Sequence, residues 1–314
     1  MGDQLYYHYY SAAQNEKGDN YSLKNLKAGK VSFAHISCFN DPCEIALLPD
    51  EIPFDTTNSD MKYKYELYIR VFCFSKTFQN PLMWGHYGNS HKGFCVGYDY
   101  NDILNIPEYK GNLRFEEITY TDVIPLLSNE EIDRGEALFY KSSDWEKENE
   151  FRATIRLPHN EDEHISETEF KQAREEWLKS NPFFEKAVDS NLRLFYTMPF
   201  DVKEIRSRIQ TMRQDIKSFE SKSYAYCAFT NKATGGTVYG KFPMRVECSL
   251  KAKVIYIGLN TSDEVRKELK EYAKSNGLDI YEMGIERGKY SFIPKKRLFF
   301  KLCVKSKIRY KKAT

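Results

Sequence analysis

The sequence predicts an α+β protein with a central mixed or antiparallel, split β-sheet that is flanked by helices and carries a helical insertion. Strand-like segments outnumber helical ones, and the two types follow one another in mixed order. Of the 314 residues, 41% are hydrophobic and 29% are charged. That composition supplies a sizeable core and excludes disordered, collagen-like and low-complexity chains.

The predicted strands are aromatic or β-branched runs bounded by turn residues. In chain order they cover residues 5–10, 31–37, 67–75, 93–99, 150–157, 224–230, 244–259 and 278–285. Apolar and polar residues alternate over 150–157, which predicts a strand with one buried face.

Helices are predicted where a capping pair precedes an amphipathic run. The pairs are Ser128 with Glu131, Ser166 with Glu169 and Thr261 with Glu264. The first helix runs to about Tyr140 and the third ends at Asn276-Gly277. A shorter helix over residues 22–29 closes at Gly29, and residues 79–92 are expected to be a loop or a broken helix.

Changes in composition divide the chain into three parts. Residues 1–158 and 244–286 form the predicted core domain, residues 159–243 a helical insertion, and residues 287–314 a basic C-terminal strand or tail. Within the insertion, apolar residues from Ile205 to Phe219 recur at steps of 4, 3, 4 and 3. This favours a helix that packs on its own domain, with a homodimer through a helix over 200–222 as the alternative.

Positive charge is concentrated at the C-terminal end. The 26 residues from Lys289 to Thr314 hold ten Lys or Arg and no acid, so the remaining 37 basic and 45 acidic residues give a net charge of −8. Residues 300–311 alternate between apolar and basic, which predicts a strand. Its basic face carries Lys301, Lys305, Lys307 and Arg309. This face either contacts the phosphates of a nucleic acid or is a solvated edge; no aromatic residue stands on it, which slightly favours the edge.

The cysteine pattern and the hydropathy predict a cytoplasmic protein. The seven cysteines are scattered with no CxxC pair, which is typical of reduced thiols. No apolar run is long enough to span a membrane, and the N-terminus has no secretory signal pattern.

Two clusters can carry chemistry. In residues 84–94, His86 and His91 stand among Trp84, Tyr87 and Phe94. Such a group either binds a planar or phosphorylated ligand or only holds the loop in place by hydrogen bonds. The spacing of the histidines fits no standard metal motif, so no metal is predicted.

The second cluster is residues 145–152. Strand alternation would place Glu148, Glu150 and Arg152 on one face. Repulsion between the two carboxylates would raise the pKa of one of them, as acid–base chemistry requires, while Arg152 neutralises the other. The alternative is an ordinary ladder of ion pairs. No dinucleotide-binding, P-loop, hydrolase or zincin motif is present.

These clusters, in this order, resemble a bacterial family catalogued as domain of unknown function 2971. The matching elements are Tyr7-His8-Tyr9; Phe39-Asn40-Asp41-Pro42 with Glu44; Cys73-Phe74-Ser75; Met83-Trp84, His86-Tyr87, His91 and Gly93-Phe94-Cys95; and Lys141, Trp145, Glu148, Glu150 and Arg152. The resemblance covers about residues 1–157 and resumes at 244–285.

The beginning of the chain also resembles ADP-ribosyltransferases. The shared features are a histidine in the first strand, a short helix ending in Asn-Leu-x-x-Gly and a turn containing asparagine. This resemblance implies NAD as a co-substrate. It assigns His8 to the ribose, Tyr87 or Trp84 to the nicotinamide, and Glu148 or Glu150 to the charge that develops during bond cleavage. The residues it implies around NAD are Tyr9, Asn40, Asp41, Ser75, Trp84, His86, His91 and Arg152.

Three functions follow as hypotheses. The first is an ADP-ribosyltransferase that modifies nucleic acid or protein in bacterial, anti-phage conflict, and it expects His8, Tyr87 and Glu150 to share a pocket. The second is a non-catalytic module that binds nucleic acid or a phosphorylated ligand. The third is a metal-assisted nuclease using Asp41, Glu44, His86 and Glu150.

Overall fold

The computed structural model describes residues 4–15, 18–39, 68–123, 125, 127–157, 164–180, 218–220, 223–230, 235–289 and 291–297. It contains, in order, β1 (Leu5–Tyr10), α1 (Tyr21–Lys27), β2 (Lys30–Ala34), β3 (Ile69–Ser75), α2 (Pro81–His86), β4 (Phe94–Asp99), α3 (Tyr100–Leu104), β5 (Leu113–Glu117), β6 (Thr119–Tyr120), α4 (Asn129–Arg134), β7 (Tyr140–Lys141) and β8 (Glu150–Arg156). There follow β9 (His164–Ile165), α5 (Glu167–Ser180), β10 (Ser218–Glu220), β11 (Tyr224–Thr230), β12 (Thr237–Pro243), β13 (Arg245–Ser249), β14 (Val254–Ile257), α6 (Asp263–Asn276), β15 (Asp279–Ile285) and β16 (Phe292–Arg297).

The predicted α+β class is confirmed. Ten strands form one mixed sheet in the order β13-β2-β3-β1-β4-β14-β15-β16, with β8 and β5 branching from β3. One edge of β3 pairs with β8 along its whole length, whereas its other edge pairs with β2 at Val71 and with β1 at Ser75. The sheet is therefore split where β1 and β2 diverge. Strands from both predicted core segments, 1–158 and 244–286, lie in this sheet.

Strand alternation gives the sheet two distinct faces. The core face carries Tyr6, Phe74, Val96 and Ile255, and apolar residues of α1, α3 and α6 pack against it. The opposite face, which we call the tyrosine face, carries Tyr7 and Tyr9 of β1, Tyr256 of β14 and Tyr281 of β15. Met83 and Trp84 of α2 pack on this second face.

The segment predicted as a helical insertion is not wholly helical. It contains α5 and a four-stranded antiparallel sheet in the order β10-β11-β12-β9. β10 lies at 218–220, so the predicted helix over 200–222 is wrong at that point, and its residues 200–217 lie outside the described residues. Pairing of Phe219 with Tyr226 of β11 explains the difference, because strand pairing overrides the helical spacing.

Many of the other predicted elements hold with small shifts. The strand predicted over 244–259 is wrong as one element, because it is divided into β13, which pairs with β2, and β14, which pairs with β4 and β15. The helix predicted to run to about Tyr140 ends at Arg134.

The capping box of Ser128 and Glu131 is present, since each residue's backbone N–H bonds the other's side chain. Ser262, not Thr261, caps α6, because the Thr261 hydroxyl donates to the Gly93 carbonyl instead. The predicted tail begins inside the sheet, where β16 pairs with β15 as the last of the described strands. Among the described helices, none is long and apolar enough to cross a membrane.

The approach of β1 to the loop after α2 leaves no room for a side chain at Gly93. A Cβ there would lie 1.9 Å from the carbonyl oxygen of Tyr10 and 3.0 Å from that of Gly88, both backbone atoms. We expect Gly93→Ala to lower the free energy of unfolding by at least about 2 kcal/mol in urea denaturation. Gly85→Ala in α2 is the matched control, because a Cβ there meets nothing within 4 Å. Equal stability of the two variants would contradict the packing described.

Candidate functional site

Four charged side chains form a buried network on the tyrosine face, and we call it the carboxylate cluster. Its members are Glu148, Glu150, Lys141 and Arg152. Lys141 Nζ bridges the two glutamates, lying 2.7 Å from Glu148 Oε2 and 3.0 Å from Glu150 Oε2. Arg152 Nε lies 2.7 Å from Glu150 Oε1. The four side chains are between 1% and 8% exposed, and their formal charges sum to zero.

The turn that leads into β8 positions the two glutamates, one on each side of Asn149. Glu150 and Arg152 lie on one face of β8, as the sequence predicts. Their cross-strand partners on β3 are Ser75 and Cys73, respectively. Glu148 is not on the strand, since it ends a 3₁₀ helix (Ser143–Glu148) and Asn149 turns the chain with φ of +47°. The buried Ser75 hydroxyl donates to the Glu148 carbonyl oxygen at 2.7 Å, which fixes that turn.

Glu150 has no spare capacity to accept a ligand. Its carboxylate receives bonds from Lys141, from Nε and Nη2 of Arg152, and from Cys73. A carboxylate offers about four lone-pair sites, so these four bonds saturate it. Burial alone would raise the pKa of Glu150, but the charges of Arg152 and Lys141 outweigh burial and lower the pKa to about 2.

Glu148 is bonded less completely. Tyr87 donates its hydroxyl to Oε1 at 2.8 Å, and Lys141 donates to Oε2 at 2.7 Å. With about four acceptor sites on a carboxylate, two bonds leave room for two more. Burial, together with the negative charge of Glu148, raises the pKa of Tyr87, so this hydroxyl stays protonated and donates. Glu148 is thus the carboxylate of the cluster that suits a ligand hydroxyl.

Aromatic side chains lie next to the residues that bond Glu148. Lys141 Nζ lies 5.0 Å from the centre of the half-buried Trp145 ring, a cation–π contact. The exposed His86 ring is 6.3 Å from Trp145 and 6.4 Å from Tyr87. The Tyr120 hydroxyl accepts the backbone N–H of Glu150 at 2.9 Å. The partly exposed rings of Trp145 and His86 therefore lie next to Lys141 and Tyr87, the two residues that hold the unsaturated Glu148 carboxylate.

His8 does not join this group. Tyr7 pairs with Ser75 of β3, and Ser75 pairs with Glu150 of β8, so Tyr7 and Glu150 lie on the same face of the sheet. His8 follows Tyr7 along β1 and therefore lies on the opposite face. Its ring stacks on Phe72 and its Nδ1 is 2.6 Å from the Cys73 carbonyl oxygen, where the sheet is split. Burial lowers the pKa of His8 to about 4, so the ring is neutral. The expectation of one pocket holding His8, Tyr87 and Glu150 is not met.

The other residues implied around NAD are divided between core and surface. Tyr9 and Trp84 are buried against each other, and their polar atoms bond the carbonyls of Thr77 and Phe78. His91 lies in a turn of three left-handed residues, with φ of +65°, and contacts Phe292. Asn40, Asp41 and Glu44, and the basic residues Lys301, Lys305, Lys307 and Arg309, lie outside the described residues.

Sequence reasoning assigned no role to Lys141, Tyr120 or Cys73. Lys141 is the bridge of the cluster, yet it stands on β7, apart from the motif of residues 145–152. Its presence in the resemblance to domain of unknown function 2971 was the available signal. Within the part of the chain that the structure describes, no three His, Cys, Asp or Glu side chains are placed to hold a metal ion.

The lowered pKa of Glu150 predicts sensitivity to acid. Its pKa falls from 4.5 to about 2 on folding, so the ionised carboxylate stabilises the fold above pH 4.5, and this stabilisation is lost as the pH falls towards 2. The loss is on the order of 3 kcal/mol. Urea denaturation at a series of pH values should show a steeper fall for the wild type than for Glu150→Gln. Parallel curves would contradict this assignment.

Comparison with known protein families identifies a similarity over part of the chain. Residues 83–153 match the model of a family described as a protein of unknown function, DUF2971. No curated protein and no solved structure matches the chain. The matched stretch contains the whole carboxylate cluster together with His86, Tyr87 and Trp145. The resemblance to domain of unknown function 2971 is therefore supported over the part of the chain that builds the candidate site.

Proposed function

We propose that the protein is an NAD-consuming ADP-ribosyltransferase whose reactive carboxylate is Glu148. The observation that carries the proposal is the unsaturated Glu148 carboxylate, held by Tyr87 and Lys141 beside the Trp145 and His86 rings. Cleavage of an N-glycosidic bond requires a fixed anion near the ribose and an apolar wall for the leaving base. We assign the first role to the Glu148 carboxylate and the second to the Trp145 and His86 rings.

Glu148 is the anion in this scheme. When NAD is bound, it supplies a ribose joined to nicotinamide through a bond whose cleavage leaves positive charge on the sugar. Glu148 accepts a hydrogen bond from a ribose hydroxyl and stabilises that charge. Tyr87 and Lys141 keep the carboxylate oriented, so no reorganisation is needed when the charge develops.

The rings around Glu148 form the wall for the base. Trp145 is half buried and His86 is exposed, so both have surface available to a ligand. Trp84 is 1% exposed and Tyr9 is 4% exposed, so neither is assigned to the ligand. His8 is not part of the proposed site either. Glu150 and Arg152 are positioning residues, since they hold Lys141 and the start of β8.

A non-catalytic binding module is the second candidate. It is favoured by the saturation of Glu150 and the zero net charge of the cluster, which are typical of a structural network. Two of the four residues of the metal-assisted nuclease, Asp41 and Glu44, lie outside the described residues, so that alternative stays a prediction. Together with the transferase activity, we propose a cytoplasmic location and a role in bacterial, anti-phage conflict.

Nicotinamide release tests the proposal. The purified protein should bind NAD in calorimetry and release nicotinamide, measured by chromatography, in the presence of nucleic acid or protein acceptors. Failure to bind NAD, together with no release under any of these conditions, would contradict the transferase and favour the binding module.

A further inference from the structure

The Tyr120 hydroxyl, beside the carboxylate cluster, has a proton that the described fold does not use. Its oxygen accepts the backbone N–H of Glu150 at 2.9 Å. A phenol hydroxyl donates as well as accepts, so this bond leaves its proton available. Among the described residues, none accepts that proton. Tyr87 differs, because it donates its own proton to Glu148. Tyr120 is therefore the hydroxyl of the site that can donate to a ligand.

The pairing of β6 with β7 directs Tyr120 towards the glutamates. Tyr120 is the cross-strand partner of Lys141, and residues in register on neighbouring strands point to the same side. The Lys141 ammonium lies between Glu148 and Glu150, so the Tyr120 ring runs beside it towards both. The bond to the Glu150 N–H places the Tyr120 oxygen at most about 9 Å from the Glu148 Cα, because only two residues of chain separate them.

The Tyr120 hydroxyl stays protonated at neutral pH. Burial, together with the negative charges of Glu150 and Glu148, raises the pKa of Tyr120 to about 12. Its ring is half buried, so part of its surface is open to a ligand. Glu148 has about two acceptor sites left beyond its bonds to Tyr87 and Lys141. The site thus combines one free donor with one carboxylate that can still accept.

Two neighbouring hydroxyls on one sugar ring match this pair of groups. One sugar hydroxyl can donate to Glu148, while the oxygen of the next accepts from Tyr120. With hydrogen bonds of about 2.8 Å at each end, a single ring is long enough to reach both groups. A carbonyl oxygen or a phosphate has no proton to give to Glu148, so it would leave the carboxylate without a partner.

We propose that Tyr120 is a substrate-binding residue whose hydroxyl donates to one hydroxyl of a ribose while Glu148 accepts from the neighbouring one. This assignment rests on the proposed transferase, in which the ribose is the one joined to nicotinamide. It adds a specificity to that reaction, because the site selects a ribose with both hydroxyls over an analogue that lacks either. Binding is measured apart from nicotinamide release, so the two proposals can fail separately.

Calorimetry of the full chain with NAD and with its 2′-deoxy and 3′-deoxy analogues, altered in the nicotinamide ribose, tests this contact. The wild type should bind each analogue about tenfold more weakly than NAD, because each analogue lacks one hydrogen bond. Tyr120→Phe should bind NAD about tenfold more weakly than the wild type does. It should equal the wild type on the analogue that lacks the hydroxyl bound by Tyr120, and keep the tenfold difference on the other. A merely structural role would weaken all three ligands alike.

Tyr10→Phe is the matched control. It also removes a hydroxyl from a buried bond, to Tyr98, but on the core face, so its affinity for all three ligands should equal that of the wild type. Three results would overturn the proposal: no binding of NAD, equal binding of NAD and both analogues by the wild type, or the same loss for all three ligands in Tyr120→Phe. The selective loss without nicotinamide release would retain the role of Tyr120 and reject the transferase. Release without the selective loss would do the reverse.

Discussion

Replacing Arg152 by leucine is expected to lower the free energy of unfolding by about 3–5 kcal/mol. Arg152 is fully buried and pairs with both oxygens of Glu150. It also donates to the Leu138 carbonyl oxygen, and its guanidinium lies over the Phe39 ring. Without Arg152, the buried anion Glu150 keeps only part of the positive charge and hydrogen bonds that stabilise it. The free energy of unfolding therefore falls far more than it does when a surface ion pair is lost.

Arg134→Leu is the matched control for this prediction. Arg134 also faces a glutamate, Glu136 at 3.5 Å, but its side chain is 60% exposed. We expect its effect to stay within about 0.5 kcal/mol in urea denaturation. The double variant Arg152→Leu/Glu150→Leu should recover part of the lost stability, because it removes the buried charge as well. A loss below about 1 kcal/mol for Arg152→Leu alone would contradict a tightly coupled cluster.

Local patterns in the sequence were sufficient for the α+β class and for several of its strands and helices. They did not reveal strands such as β5 and β12. Alternation over 150–157 predicted β8, and the pair Ser128 and Glu131 predicted the start of α4, because both signals depend on neighbours in the chain. The spacing from Ile205 to Phe219 predicted a helix up to 222. It was wrong at 218–220 because Phe219 pairs with a strand that the spacing cannot reveal.

The site was predicted as a set of residues but not as an arrangement. The pairing of Glu150 with Arg152 followed from strand alternation and is confirmed. The position of His8 did not follow, since a shift of one residue in register moves a side chain to the other face of the sheet. Arg152 and Cys73 decide which carboxylate has acceptor sites left, because Lys141 donates one bond to each glutamate. The turn that brings Lys141 between the two glutamates is a tertiary feature.

Glu148→Gln is expected to lower the rate of nicotinamide release from NAD by at least about 100-fold. Glutamine keeps the shape of the side chain and an oxygen that can accept from Tyr87, but it carries no negative charge. The binding of NAD should change little by comparison. Glu148→Gln also removes one of the two carboxylates beside the buried Lys141, so the midpoint of urea denaturation should fall as well. Glu150→Gln should lower stability further, since it removes a partner of both Arg152 and Lys141.

The most direct test is therefore the rate of nicotinamide release by the wild type, Glu148→Gln and Glu117→Gln, with folding checked by circular dichroism. Glu117 is a suitable control because its side chain is 54% exposed and pairs with the surface residue Lys76. We expect release by the wild type and Glu117→Gln and almost none by Glu148→Gln. Release by Glu148→Gln at the wild-type rate, or by none of the three proteins, would contradict the role assigned to Glu148.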